Sequence, residues 1–155
     1  MNLTRRRMSL MLGGWLAVPA HAQSTPTGLT IHQEIDFSTA PGRIYQTLLD
    51  AKQFSAFTQA KADIDARPGG AFTLFGGLIE GRNVELVTDR RIVQAWRPAA
   101  WAAGVYSIVR FELVAHGGGT RIVFDHAGFT DEERAQLVAG WSSHYWDPLH
   151  KYLGG

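Results

Sequence analysis

His126 ends the run Thr120, Ile122, Phe124, His126, whose alternate positions share one strand face, so its imidazole turns toward whatever that face covers. An imidazole there can act as acid, base or hydrogen-bond donor near neutral pH, or simply bind a backbone group at a strand end. His144 follows Trp141 by three residues and precedes Tyr145, which brings it toward the same space or leaves it on a wet helix flank. Acids that could share a proton with His126 are few. Glu80 and Arg82 flank Gly81 and suit an ion pair at a cavity mouth, which makes Glu80 the second catalytic candidate, and Asp125 is the sequence neighbour of His126. Asp63 and Asp65 lie on one side of a strand, but both are near Arg67 and read as a solvated edge.

Other chemistries are excluded by what the chain lacks. It has no cysteine, so thiolate zinc sites, disulfides and cysteine nucleophiles are out. His144 and His150 are six apart and fall on different helix faces, and no H-E-x-x-H or H-x-H run occurs, so no metal is expected. Ser107, Ser142 and Ser143 have no nucleophile-elbow context. Gly69-Gly70, Gly76-Gly77 and Gly117-Gly118-Gly119 precede no helix opening with Lys-Ser or Lys-Thr. They are joints between strands, not phosphate loops, and no cofactor is expected.

The elements that must position these residues follow from periodicity. Leu29–Phe37 alternates apolar and polar residues and predicts a half-buried strand. Ser38, Thr39 and Pro41 predict the start of a helix over Pro41–Leu49, with a short second one over Lys52–Phe57. Short alternating runs then predict an antiparallel meander over Asp63–Arg67, Ala71–Phe75, Asn83–Val87, Arg91–Arg97, Tyr106–Ala115 and Thr120–Asp125. Thr130 and Glu133 form a capping box that opens one long amphipathic helix, along which Leu137, Trp141, Tyr145 and Tyr152 recur. Gly140 reads there as a point of close backbone approach, and Pro148 predicts a bend or fraying.

A sheet with one wet face needs its other face covered, and only the last helix is long enough to cover it. The expected class is therefore α+β, a curved antiparallel β-sheet wrapped around a long C-terminal α-helix, with a cavity between them. Candidate cavity residues are Phe72, Trp96, Phe111, Phe124 and His126 on the sheet, with Trp141, His144 and Tyr145 on the helix. The same rings serve equally well as ordinary core.

Length and composition fit one such domain: 155 residues, 45% hydrophobic, 19% charged, with a formal charge of +1. Residues 1 to 22 read as an export signal, with Arg5-Arg6-Arg7, an apolar stretch from Met8 to Val18, and a small-residue cleavage site after Ala22. Thr4-Arg5-Arg6 is twin-arginine-like. The apolar stretch is too short for a permanent membrane anchor. Residues 23 to 28 then form a linker and 29 to 153 the domain, located in the periplasm; a start at Met8 or Met11 would leave it in the cytoplasm. A chain cleaved after Ala22 holds 12 basic and 14 acidic residues, a formal charge of −2, with no electrostatic reason to bind nucleic acid.

The order and spacing of several motifs resemble the homologues of the activator of the heat-shock-protein-90 ATPase. These are Arg67-Pro68-Gly69-Gly70-Ala71-Phe72, Leu74-Phe75-Gly76-Gly77, Ile79-Glu80-Gly81, Arg91 to Arg97 with Trp96, Gly119-Thr120-Arg121, Gly140-Trp141 and Tyr145-Trp146-Asp147-Pro148-Leu149. The superfamily also holds START lipid-transfer domains, polyketide cyclases and birch-pollen-type allergens, and the resemblance implies a helix-grip fold. For function it implies less, since one scaffold hosts carriers, sensors, cyclases and co-chaperone modules. The leading expectation is an exported, non-catalytic module that binds a small hydrophobic or amphipathic ligand between sheet and helix. The alternatives are a cyclase or hydratase using His126 with a carboxylate, and a co-chaperone-like module that docks a protein partner.

Overall fold

The computed structural model describes residues 29–154. The expected signal segment, its cleavage point and the linker lie outside the described residues, apart from the domain's first residue onward. The elements run β1 (Thr30–Phe37), α1 (Pro41–Leu49), α2 (Ala51–Thr58), β2 (Asp63–Ile64), β3 (Ala71–Leu74), β4 (Ile79–Val87), β5 (Arg91–Pro98), β6 (Ser107–His116) and β7 (Gly119–Ala127). The chain ends in α3 (Asp131–Trp141), a π-helical segment (Ser142–Trp146) and α4 (Asp147–Leu153). All strands join one antiparallel sheet in the order β1-β7-β6-β5-β4-β3-β2, so the first strand lies beside the last. This is the expected α+β helix-grip arrangement.

Alternation decides which side chains cover the inner face. Along β7 the inward residues Ile122, Phe124 and His126 are buried, while Arg121, Val123 and Asp125 turn outward and stay partly wet. The outward face carries cross-strand ion pairs: Arg121 with Asp36 and Glu34, Arg110 with Asp125, and Arg91 with Glu85 and Glu112. Solvent-facing pairs of this kind add little stability. They do fix which face is wet.

Several boundaries differ from the sequence expectation, each for a local reason. β2 stops at Ile64 because Asp65, paired with Arg67, and Pro68 turn the chain before a longer ladder can form. β4 begins at Ile79 instead of Asn83, since Ile79 to Arg82 pair with Pro98 to Ala95 across Gly81. That glycine is obligatory, because a Cβ there would stand 2.1 Å from the Ala95 carbonyl oxygen and 2.4 Å from the Phe72 ring.

The last helix is not one regular, amphipathic α-helix. The Asp147 N–H bonds back to the Ser142 carbonyl, five residues away, and Pro148, which lacks an N–H, sits in the first turn of α4. In a regular helix Trp141 and Trp146 would diverge by about 140°. The wider turn instead lets Trp141, Tyr145, Trp146 and Leu149 all enter the core, each 5% exposed or less. Within α3 only Trp141 is buried.

Candidate functional site

A cavity of about 710 Å³ lies between α3, the π segment, and the far end of β5 with the loops beside it. Its inner wall is aromatic. Trp96 of β5 stacks on Trp141 at 5.2 Å between ring centroids, Tyr145 meets Trp141 at 4.4 Å, and Phe75 meets Tyr145 at 5.6 Å. Phase in the backbone brings these rings together: Trp96 points inward from an alternating strand, and Trp141 and Tyr145 are one helical turn apart. Phe75 occupies a short 3-10 turn (Phe75–Gly77) at φ 53, a left-handed conformation uncommon for a bulky residue, and the Gly76 N–H anchors that turn to the Lys61 carbonyl at 2.8 Å.

The outer wall and rim come from Leu78, Pro98, Ala100, Trp101 and the α3 residues Glu133, Gln136 and Leu137. From Pro98 to Tyr106 the chain runs nine residues without a charge. Arg97 pins this loop: its guanidinium grips Glu80 through Nε at 2.9 Å and through Nη2, while Nη1 donates to the Trp101 carbonyl at 2.7 Å. The ion pair expected between Glu80 and Arg82 is thus replaced by one between Glu80 and Arg97, because Arg97 lies directly opposite Glu80 across the β4–β5 ladder. Arg82 instead donates to the Gly69 carbonyl.

Gly140 also lines the cavity. The nearest atom to a Cβ built there is His144 Nδ1, at 4.0 Å. The expected close backbone approach at this position does not occur; the missing side chain leaves cavity space. Of the residues anticipated from sequence, Trp96, Trp141, His144 and Tyr145 stand in the cavity wall. Phe72, Phe111, Phe124 and His126 lie buried in the core outside that lining. Phe75, Leu78, Trp101 and Leu137 were not anticipated, although the uncharged run around Trp101 was a readable signal.

His126 is fully buried and both ring nitrogens are engaged. Trp141 Nε1–H donates to Nδ1 at 3.0 Å; an indole only donates, so the imidazole proton resides on Nε2. Nε2–H then donates to Ser107 Oγ at 2.8 Å, and the Ser107 hydroxyl donates to the Trp96 carbonyl at 2.9 Å. Burial pushes the imidazole down to about 4, so it is neutral at physiological pH. This chain of bonds ties α3 to β7, β6 and β5. Asp125 turns to the opposite face of the sheet, where it holds His32 at 2.7 Å and Arg110 at 2.6 Å.

His144 sits at the rim, its Nδ1 within 3.0 Å of the Ser143 hydroxyl and 3.1 Å of the Gly140 carbonyl. Among the described residues no cluster of three or more histidines and carboxylates could hold a metal ion. No helix among them is long and apolar enough to cross a membrane.

Comparison with known proteins places this geometry among relatives. Residues 38–154 match the family model described as activator of Hsp90 ATPase homolog 1-like protein. The chain is 26% identical over 141 residues to the human activator of 90 kDa heat shock protein ATPase homolog 1, covering 88% of this chain and 42% of that protein. It is 35% identical over 124 residues to an uncharacterized protein of Schizosaccharomyces pombe, covering 80% of this chain and 37% of the other. The chain therefore spans less than half the length of these curated relatives. Among solved structures, an HSP90 activator from Plasmodium falciparum aligns with a TM-score of 0.76 at 21% identity, covering 82% of this chain and 97% of that one. CalU16 from Micromonospora echinospora aligns with a TM-score of 0.66 at 21% identity, covering 80% and 74% respectively.

Proposed function

The chain belongs to the family of activator of Hsp90 ATPase homolog 1-like proteins, and we propose that this member holds a small apolar or amphipathic molecule between its sheet and its C-terminal helix without altering it chemically. The carrying observation is the cavity of about 710 Å³, walled by Trp96, Trp141, Tyr145 and Phe75 and bordered by an uncharged loop. Its size and apolar lining are those of small-molecule sites. A cyclase or hydratase reading draws no support from the geometry: His126 is outside the lining, Asp125 faces the other side of the sheet, and Arg97 engages Glu80. We also propose that the protein is exported by the twin-arginine-like segment.

The test is a titration of purified protein with N-phenyl-1-naphthylamine, a neutral dye that brightens in apolar surroundings, in parallel with a Gly140→Phe variant whose new ring fills the cavity. Saturable binding by the wild type that Gly140→Phe abolishes is the expected result. Absence of saturable binding by the wild type overturns the reading.

The relatives favour a second reading, a module that docks a protein partner, since the human relative is named as an activator of a heat-shock-protein ATPase. Stimulation of a purified Hsp90-class ATPase by this chain, undiminished in Gly140→Phe, would support it over ligand binding.

A further inference from the structure

We propose that the ligand is uncharged and carries one hydrogen-bond acceptor, a carbonyl-type oxygen, which is bound by the Tyr145 hydroxyl with the Trp96 indole N–H behind it; this rests on the ligand-binding reading above. The three core tryptophans differ in one respect. Trp141 donates to His126 Nδ1 at 3.0 Å and Trp146 to Gln33 Oε1 at 2.8 Å, whereas the buried Nε1 of Trp96 has no partner of hydrogen-bonding geometry. A buried donor left unmatched is destabilising, and natural interiors rarely tolerate one without a reason. Trp96, only 5% exposed, stands in the cavity wall.

Tyr145 stands in the same wall and is 3% exposed. Burial pushes its phenol well above the usual range, against a smaller opposing pull from the Trp96 indole N–H, so it remains a donor at physiological pH. A phenol that accepts from Trp96 can turn its own proton toward a ligand oxygen, which satisfies all three groups in series.

Charge selects between acceptor types. The only ionisable acid in the lining is Glu133, which is occupied in capping α3 through the Thr130 N–H at 2.8 Å, and no lysine or arginine lines the cavity among the described residues. His144 is the one basic side chain in the lining and stands at the rim, its Nδ1 beside the Ser143 hydroxyl and the Gly140 carbonyl. A carboxylate buried deep against Trp96 and Tyr145 would therefore have no permanent counter-charge, and a neutral carbonyl needs none.

The test uses three ligands of matched shape: 2-ethylnaphthalene, 2-acetylnaphthalene and 2-naphthoate, each competed against N-phenyl-1-naphthylamine on the full chain. The readout is the ratio of ketone to hydrocarbon affinity, compared between the wild type and the Tyr145→Phe and Trp96→Phe variants, so that differences in water solubility cancel. The ratio is expected to fall by roughly tenfold in Tyr145→Phe and by several-fold in Trp96→Phe. Naphthoate is expected to be the weakest of the three. Infrared spectroscopy of the ketone bound to the wild type supplies a measurement independent of either variant, with the carbonyl stretch lowered relative to the ketone in hydrocarbon solvent. An unchanged ratio with an unshifted stretch, or tightest binding by naphthoate, overturns this proposal while leaving the cavity a binding site. Failure of all three compounds and of the dye to bind overturns both.

Discussion

Trp141→Phe and Trp146→Phe remove the same atoms from two stacked indoles whose centroids are 5.7 Å apart, but they strand different partners. Each loses the apolar bulk of an indole over a phenyl ring, a cavity cost of about 1–2 kcal/mol at either site. Beyond that the sites diverge. Trp141 donates to a nitrogen of His126, which is 0% exposed, so its removal leaves a buried acceptor that water does not reach, costing about 1–3 kcal/mol more. Trp146 donates to the half-buried amide oxygen of Gln33, which can turn to solvent and recover most of its bond. The expected losses are about 2–5 kcal/mol for Trp141→Phe and about 1–2 kcal/mol for Trp146→Phe, against a typical domain stability of about 5–15 kcal/mol. Urea titration at pH 7.5, with equal slopes confirming a common unfolding transition, measures the difference. If Trp141→Phe costs no more than Trp146→Phe, the tie between His126 and the helix contributes nothing and the account of how α3 is held is wrong.

Three further outcomes follow from the geometry, and a fourth from the proposal that the protein is exported. His126 is pushed down to about 4 in the fold while a free imidazole titrates near 6.5, so stability is complete above about pH 6.5, declines as pH falls toward 4, and drops by about 3 kcal/mol in total. His32 is raised by its bond to Asp125 and acts in the opposite sense at the top of that window, so urea titrations from pH 7.5 to 4.5 in a His32→Asn background isolate the effect; a flat profile there contradicts it. Gly81→Ala drives a methyl into the Ala95 carbonyl and Phe72, and should cost at least about 3 kcal/mol or leave the protein insoluble, as measured by soluble yield and melting. A Cβ at Gly140 comes no nearer than 4.0 Å to His144 Nδ1, an ordinary contact, so Gly140→Ala should stabilise by about 0.5–1 kcal/mol through helix propensity, which a melting-temperature rise would register. Lysines in place of Arg5 and Arg6 should trap the precursor in the cytoplasm, and mature protein beginning at Gln23 in the periplasmic fraction of such a double variant would refute the twin-arginine assignment.

The sheet was legible because its strands obey a period of two and its connections carry glycine, so seven strands and two short helices follow from pattern alone. The π segment was not. Ser142 to Trp146 has no composition that marks a wide turn, and only the need to bury both Trp141 and Trp146 requires it, a need visible once the sheet is in place. The partner of Glu80 was illegible for a related reason: Arg82 is near in sequence, but register sets Arg97 across from it, and register depends on where β4 starts. The aromatic wall was half legible. Trp96, Trp141 and Tyr145 could be named from alternation and helical spacing, but Phe75 and Trp101 sit in irregular loops, where no period applies.

Helix α3 makes its one full burial at Trp141, its last residue, whereas the following twelve residues to Leu153 hold Tyr145, Trp146 and Leu149 in the core. The two halves of the C-terminal helix are therefore anchored with unequal strength. Amide hydrogens along Asp131 to Gly140 should exchange through local opening at a small fraction of the global free energy, while those of α4 wait for larger events. On the ligand-binding reading proposed above, that loosely held half is one wall of the cavity, so its local opening would add a route of release beside the rim. Residence time would then depend on the breathing of one helix as well as on the contacts made, so the departure rates of two ligands would differ by less than their affinities.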